Sequence, residues 1–439
     1  MNPRELLQRT CASAPPSLRL HSLWTWLPVL GLFRGLVFTF LFAFSLVMLR
    51  RLGLHVRAVT FFLGWLLVPY ILKPFVRPWM RKLGSSRFFL FEMELLIVLS
   101  MGGIGFSLQE PNWKMECMVF YFALALWGAL HDIVASNFCM AALGPRCSRL
   151  VSKVNFYTLI VALLGGLGVL VMVGGNMEVL SRAIRSSWMH VCYIASAVCL
   201  VLLVAQLFLL PYPREAGIMA QPQMKSLFDR FVDKCAVIAK SPKAWPWIMF
   251  LLLYLLPLSL LWPMTTLFLI DPRSSGGMGL SPQEVAYVQG TLGVLSLIGG
   301  CVLSEYLLRR YPSGKMWLLL ALLFTLPTGG WLWLSFVHPS GLSSIAAVVM
   351  AQGFGTGMGI APYRLSVFPP PGSHRILSPQ ASRSLMGIAV MLPFTASGNM
   401  QAALGYRRFF FLVVLSCGVS LAAILILLIS RHRWRRRAE

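Results

Sequence analysis

The sequence predicts an all-α membrane protein that crosses the bilayer twelve times. Of its 439 residues, 57% are hydrophobic and only 12% are charged. Apolar stretches long enough to cross a bilayer core, which takes about 20 helical residues, recur along the whole chain. A short internal repeat also indicates that the twelve helices form two six-helix halves, and no soluble domain remains to be placed.

The apolar stretches define the spans in order. We place them at residues 25–49, 57–76, 88–107, 115–140, 152–174, 188–210, 245–269, 284–305, 316–337, 342–366, 383–402 and 408–430. The predicted domains are a cytoplasmic lead (1–24), a first bundle (25–211), a cytoplasmic linker (212–243), a second bundle (244–430) and a basic cytoplasmic tail (431–439). The lead has three arginines and no apolar core, so we do not expect a cleaved signal peptide.

The net charge of +24 is explained by the membrane and not by nucleic acid. Lys and Arg lie in the short connections between apolar stretches and in the tail RHRWRRRAE, where acidic lipid headgroups are the expected counter-charge. The nine cysteines show neither a CxxC pair nor a Cys/His pair at metal spacing. We therefore expect no metal and no cofactor.

Alternating loop charge predicts the orientation. The connections after spans two, four, eight and ten are basic and are assigned to the cytoplasm. This places both termini in the cytoplasm, and we expect the protein in an inner or plasma membrane. Two basic clusters run against this pattern: Arg50, Arg51 and Arg57 near the first hairpin, and Arg407 and Arg408 before the last span.

The internal repeat lies at the start of the second span of each half. GLHVRAVTFFLG, Gly53 to Gly64, and GLSPQEVAYVQG, Gly279 to Gly290, share Gly, Leu, Val and Gly at identical spacing. Duplicated halves are a transporter architecture in which the substrate site lies at the midplane between them.

Each repeat is followed by a short basic turn: KPFVRPWMRKLGSSR in the first half and SEYLLRRYPSGK in the second. Both resemble the cytoplasmic loop signature of the major facilitator superfamily, which latches neighbouring helices in one conformation. The resemblance implies a gating role for the basic residues Lys73, Arg77, Arg81, Lys82, Arg309 and Arg310. The first turn lacks the acidic residue common in that signature, and simple positive-inside anchoring is the alternative.

Among the ionisable residues within apolar spans, His131, Asp132 and Arg34 are the candidates for function. Charged groups there cost a few kcal/mol and usually face the interior of the bundle. His131 and Asp132 diverge by about 100° on a helix, so one is expected to line a cavity while the other contacts a neighbouring helix. Asp132 is a candidate proton acceptor or cation partner, and His131 can titrate near neutral pH. A fixed hydrogen-bonded pair is the alternative.

Arg34 is predicted to lie at a depth comparable with Asp132. We expect it to pair with Asp132 or with a substrate carboxylate, and snorkelling to the membrane surface is the alternative. In span ten, QGFGTGMGI does not have dinucleotide-binding spacing, so its glycines predict close helix packing or a flexible point. Gln352 within it is a candidate hydrogen-bond donor to a sugar or peptide, or to a neighbouring helix.

Several segments together resemble the AmpG-type muropeptide permeases and the related acetyl-coenzyme A transporters. HDIVASNFCM is similar to an HDIAADGFYM-like segment in the fourth helix of that family. Thr265 to Val294, WLLVPYILKPFVRPW and MLPFTASGNMQAALGYRRFFF are similar to other parts of it. The resemblance implies a major facilitator fold and proton-coupled import of anhydro-muropeptide, a disaccharide-peptide released during wall recycling. Small solutes, protons and lipids are then the expected partners.

The chain departs from the family pattern at the second acid of the fourth-helix segment. Ser136 and Asn137 stand in that region, and we keep Asn137 as a candidate in the substrate or proton pathway. The change leaves open a different amphiphilic or anionic metabolite, or a non-transporting scaffold or sensor. A membrane-embedded enzyme would need further groups converging at the depth of His131, and His190 is predicted near the opposite face, so no catalytic residue is assigned.

Overall fold

The computed structural model describes residues 20–82, 87–144, 148–211, 244–367 and 379–436. Within these ranges the chain is almost entirely helical and contains no strand. Helices α1 to α10 are Leu23–Arg51, Val56–Arg77, Arg87–Ser107, Trp113–Leu143, Leu150–Ser181, Ile184–Leu209, Trp245–Ile270, Pro282–Arg310, Gly314–Val337 and Leu342–Arg364. All ten are long and apolar enough to cross a membrane.

The segment Ser382–Ser430 contains the last two helices. Gly405 interrupts it with φ 74° and ψ 167°, a backbone conformation that residues other than glycine rarely adopt. We call residues 382–404 α11 and residues 406–430 α12. The predicted multi-pass, twelve-helix class is thereby confirmed, and the predicted linker 212–243 lies outside the described residues.

Contacts divide the chain into two compact units. One comprises the described residues of Met1–Phe42, Leu72–Gly166 and Met177–Leu227, and the other those of Ala43–Ile71, Leu167–Asn176 and Phe228–Glu439. Helices α1 and α5 contain residues of both units. In each, a change of unit falls within a π-helical stretch, Phe40–Phe44 in α1 and Leu164–Leu170 in α5.

The glycines of α10 produce close helix packing, as predicted. A Cβ on Gly353 or Gly357 would collide with backbone atoms of α8, whereas one on Gly355 or Gly359 would collide with residues of α9. Residues four apart share a helix face, so the alternating glycines provide two faces that admit two neighbours at once. This packing follows the small-residue rule for membrane helices.

The internal repeat is visible in the backbone. Gly53 and Gly279 both have positive φ, 89° and 71°, just before the start of α2 and of α8. The second glycine of each repeat admits a neighbouring helix: Gly64 lies against Thr395 of α11, and Gly290 lies against Gly168 of α5. Repeated glycines therefore serve the same two purposes, a tight turn and a close approach.

Gly290→Ala is expected to lower the free energy of unfolding by roughly 1–3 kcal/mol, the range for overpacking a tight contact. The added Cβ would lie 2.5 Å from the backbone nitrogen of Gly168, which cannot rotate away as a side chain would. Gly299→Ala is the matched control. Gly299 lies on the same helix as Gly290, and a Cβ there would have no neighbouring atom within 4 Å. Equal unfolding midpoints for the two variants in detergent would contradict a close backbone contact.

Candidate functional site

His131 and Asp132 of α4 bind different partners, as their divergence on the helix predicts. The two carboxylate oxygens of Asp132 accept from two cations: Oδ1 from Arg34 of α1 and Oδ2 from Lys73 of α2. These three side chains, which we call the Asp132 cluster, are 27%, 18% and 22% exposed respectively. The predicted pairing of Arg34 with Asp132 is present.

The sequence around Arg34 explains its position. GLFRG places Gly31 and Gly35 four residues apart on one face of α1, and both lie tightly against α5, at Thr158 and Ala162. Close approach through a small-xxx-small motif fixes the rotation of a membrane helix. Arg34, which lies between these glycines in the sequence, contacts Asp132 of α4.

Lys73 was predicted as part of a basic cytoplasmic turn, but the structure places its ammonium on Asp132. It lies near the end of α2, and its long apolar stem allows the charged group to reach another helix. Two cations thus share one carboxylate. An anionic group entering the cluster can replace Asp132 at either cation without leaving that cation alone in an apolar surrounding.

His131 faces a second, fully buried acid. Its Nε2 lies 3.0 Å from Oε1 of Glu94 in α3, and the two side chains are 2% and 0% exposed. The ring of Phe33 covers the histidine at 5.2 Å between ring centroids, and Gln206 of α6 lies beside Glu94. We call His131 and Glu94 the buried pair.

The sequence interpretation did not select Glu94. A carboxylate within an apolar span is itself a signal of function, and FEMELL in α3 carries two. Glu92 is exposed while Glu94 is buried, so helix geometry separates them, but the identity of the partner does not follow from α3 alone.

The remaining predicted pathway residues, Gln352 and Asn137, contact neither Asp132 nor His131. Gln352 donates from Nε2 to Oγ1 of Thr356 at 3.2 Å, a contact within α10, and it belongs to the other compact unit. Asn137 is half-buried on α4 and shows no side-chain hydrogen bond with a described residue. Neither extends the Asp132 cluster or the buried pair by a direct contact.

Of the two predicted gating residues of the second half, Arg309 lies near Glu305 of α8 and Arg310 does not. Arg364 of α10 donates to Glu305 at 3.1 Å, and Arg309 lies 3.6 Å from the same carboxylate. Arg310 instead lies over the ring of Tyr311. In the first half, Arg77 is half-buried on α2, and the side chains of Arg81 and Lys82 lie outside the described part of the structure.

No metal site is formed by the described residues, since no group of three or more His, Cys, Asp or Glu side chains converges in them. The six described cysteines, Cys117, Cys139, Cys192, Cys199, Cys301 and Cys417, are all buried.

No family model matches the sequence, and no curated protein does either. The fold does match solved structures over nearly all of both chains. A D-xylose–proton symporter has a TM-score of 0.66 and 11% identity, with 93% of this chain and 97% of that chain covered. A structure of proton-dependent oligopeptide transporters has a TM-score of 0.65 and 12% identity, with 94% and 97% covered. A nucleoside transporter has a TM-score of 0.61 and 12% identity, with 92% and 98% covered.

These matches define the class. The chain is a multi-pass membrane protein with the fold of the major facilitator superfamily, as the resemblance of its basic turns to that superfamily's loop signature predicted.

Proposed function

We propose that this protein is a secondary transporter that moves a solute across the inner or plasma membrane by alternating access, with both termini in the cytoplasm. The Asp132 cluster carries the proposal, because three charged side chains are held within apolar helices where a purely structural bundle would have apolar ones. Transporters of sugars, peptides and nucleosides that share the fold support it. Transport, and not catalysis, is the proposed activity.

The cluster indicates an anionic solute. Arg34 and Lys73 present a guanidinium and an ammonium to one carboxylate, and a carboxylate or phosphate of the solute can replace Asp132 at one of them. Anhydro-muropeptide, which carries peptide carboxylates, meets this requirement and agrees with the family resemblance. Another anionic or amphiphilic metabolite is the second candidate, favoured by the Ser136 and Asn137 that stand where an acid was expected.

The buried pair is the proposed proton site. One proton between Glu94 and His131 leaves the pair neutral overall, whether it lies on the carboxylate or completes an imidazolium. A second proton would give the pair a net positive charge at a fully buried position, so its binding depends on the conformation around it. This assigns solute charge to Asp132 and proton coupling to the other face of α4.

The direct test is uptake of labelled anhydro-muropeptide into proteoliposomes with an imposed inward proton gradient. Gradient-driven accumulation by the wild type supports both the substrate and the coupling. If folded wild-type protein takes up no muropeptide, the same vesicles are loaded with unlabelled anionic metabolites to test for exchange. No exchange of any anionic solute would contradict the transporter assignment and favour the scaffold.

A further inference from the structure

A surface cavity of about 750 Å³ lies in the compact unit that contains α7 to α12. Its walls come from three parts of the chain: the end of α1 and start of α2, the end of α7, and the end of α11. They include the basic residues Arg50, His55 and Arg57 and the amides of Asn399 and Gln401. This volume is within the range of small-molecule sites.

The only carboxylate among the lining residues is already neutralised. Asp271, which is 3% exposed, accepts from Nε of Arg50 at 2.5 Å and from the hydroxyl of Tyr406 at 2.7 Å. A second nitrogen of Arg50, Nη1, donates to the carbonyl of Leu54 at 2.9 Å. Arg50 and Asp271 thus line the cavity as an ion pair in which the two charges cancel.

Arg57 supplies the remaining positive charge. It lies in the first turn of α2, is exposed, and forms no ion pair with any described residue. His55 precedes the helix without capping it through its side chain, so the first amide groups of α2 also lack a capping side chain at the cavity. Gly398 allows α11 to approach the Cα of Arg57 closely, which brings Asn399 and Gln401 to the same cavity.

We propose that this cavity is an oxyanion-binding site, in which Arg57 and the start of α2 bind the phosphate or carboxylate group of a ligand. The neutralised Asp271 leaves the lining with positive charge and amide groups, which is the chemistry that such groups require. The site also explains the basic cluster at the first hairpin: Arg50 pairs with an acid, and Arg57 binds a ligand. Binding at this site does not depend on transport by the Asp132 cluster.

Two probes distinguish the source of the oxyanion. Purified protein in nanodiscs of zwitterionic lipid is titrated with inorganic pyrophosphate by calorimetry, and retention of phosphatidylglycerol is measured by native mass spectrometry. Arg57→Gln should weaken binding of the occupying probe roughly tenfold or more, as expected for loss of a charged hydrogen-bond partner. Binding of pyrophosphate identifies a soluble ligand, and retention of phosphatidylglycerol alone identifies a lipid headgroup.

Arg408→Gln is the matched control, because Arg408 is an exposed arginine outside the cavity lining. Asn399→Asp should also weaken binding, since it adds a negative charge at the rim with almost no change in shape. Equal loss for Arg57→Gln and Arg408→Gln would show diffuse attraction and overturn the site. Absence of binding for both probes in monodisperse wild-type protein would overturn it as well.

Discussion

Asp132→Asn is expected to abolish solute uptake and to lower the free energy of unfolding by roughly 1–3 kcal/mol, less than for a fully buried ion pair because the three side chains are partly exposed. The neutral amide leaves Arg34 and Lys73 close together without the carboxylate that stabilises both. Under the proposed function, uptake is lost because Asp132 holds the two cations in the position where an anion of the solute replaces it.

Thermal unfolding in detergent and uptake into proteoliposomes measure the two effects. Glu92→Gln is the matched control, since it removes an exposed acid of α3 that has no ion pair with a described residue. Combining Asp132→Asn with Arg34→Gln should recover part of the lost stability, because it removes a cation that has lost its counter-charge, without recovering uptake. An additive effect of the two substitutions on stability would contradict the pairing.

Local sequence features predicted much of the fold for a physical reason. The bilayer requires about 20 apolar residues for each span, and glycine is needed wherever backbones touch or φ is positive. Hence the apolar stretches predicted the twelve helices and QGFGTGMGI predicted the tight packing of α10. The positive φ at Gly53 and Gly279 is a further similarity between the two repeats that the structure adds.

The site was predicted less completely, because its contacts join residues far apart in the chain. The pairing of Arg34 with Asp132 was accessible from their comparable depth. The contact of Lys73 with Asp132 was not predictable from the sequence. The long side chain of Lys73 places its ammonium group away from the basic turn to which the sequence assigns this residue. Glu94 and His131 are 37 residues apart on different helices, and Arg50 and Asp271 are 221 apart. Neither pairing follows from local periodicity.

Glu94→Gln is expected to separate proton coupling from solute exchange. The substitution keeps the size of the side chain and a hydrogen bond to His131, but the amide cannot accept a proton. Gradient-driven accumulation should therefore fall to the level measured without a gradient, while counterflow of labelled against unlabelled solute continues. The Asp132 cluster is unchanged in this variant, so solute recognition is retained.

Both assays use the same proteoliposomes, and Glu92→Gln serves again as the control, because it removes the neighbouring exposed acid from the same helix. If Glu94→Gln retains full accumulation under the gradient, the buried pair only fixes α3 against α4 and the proton is bound elsewhere. Loss of counterflow together with accumulation also contradicts a coupling role, since it shows that α4 needs the carboxylate to hold its shape. Only the loss of accumulation alone supports a division in which one face of α4 binds the solute and the other binds the proton.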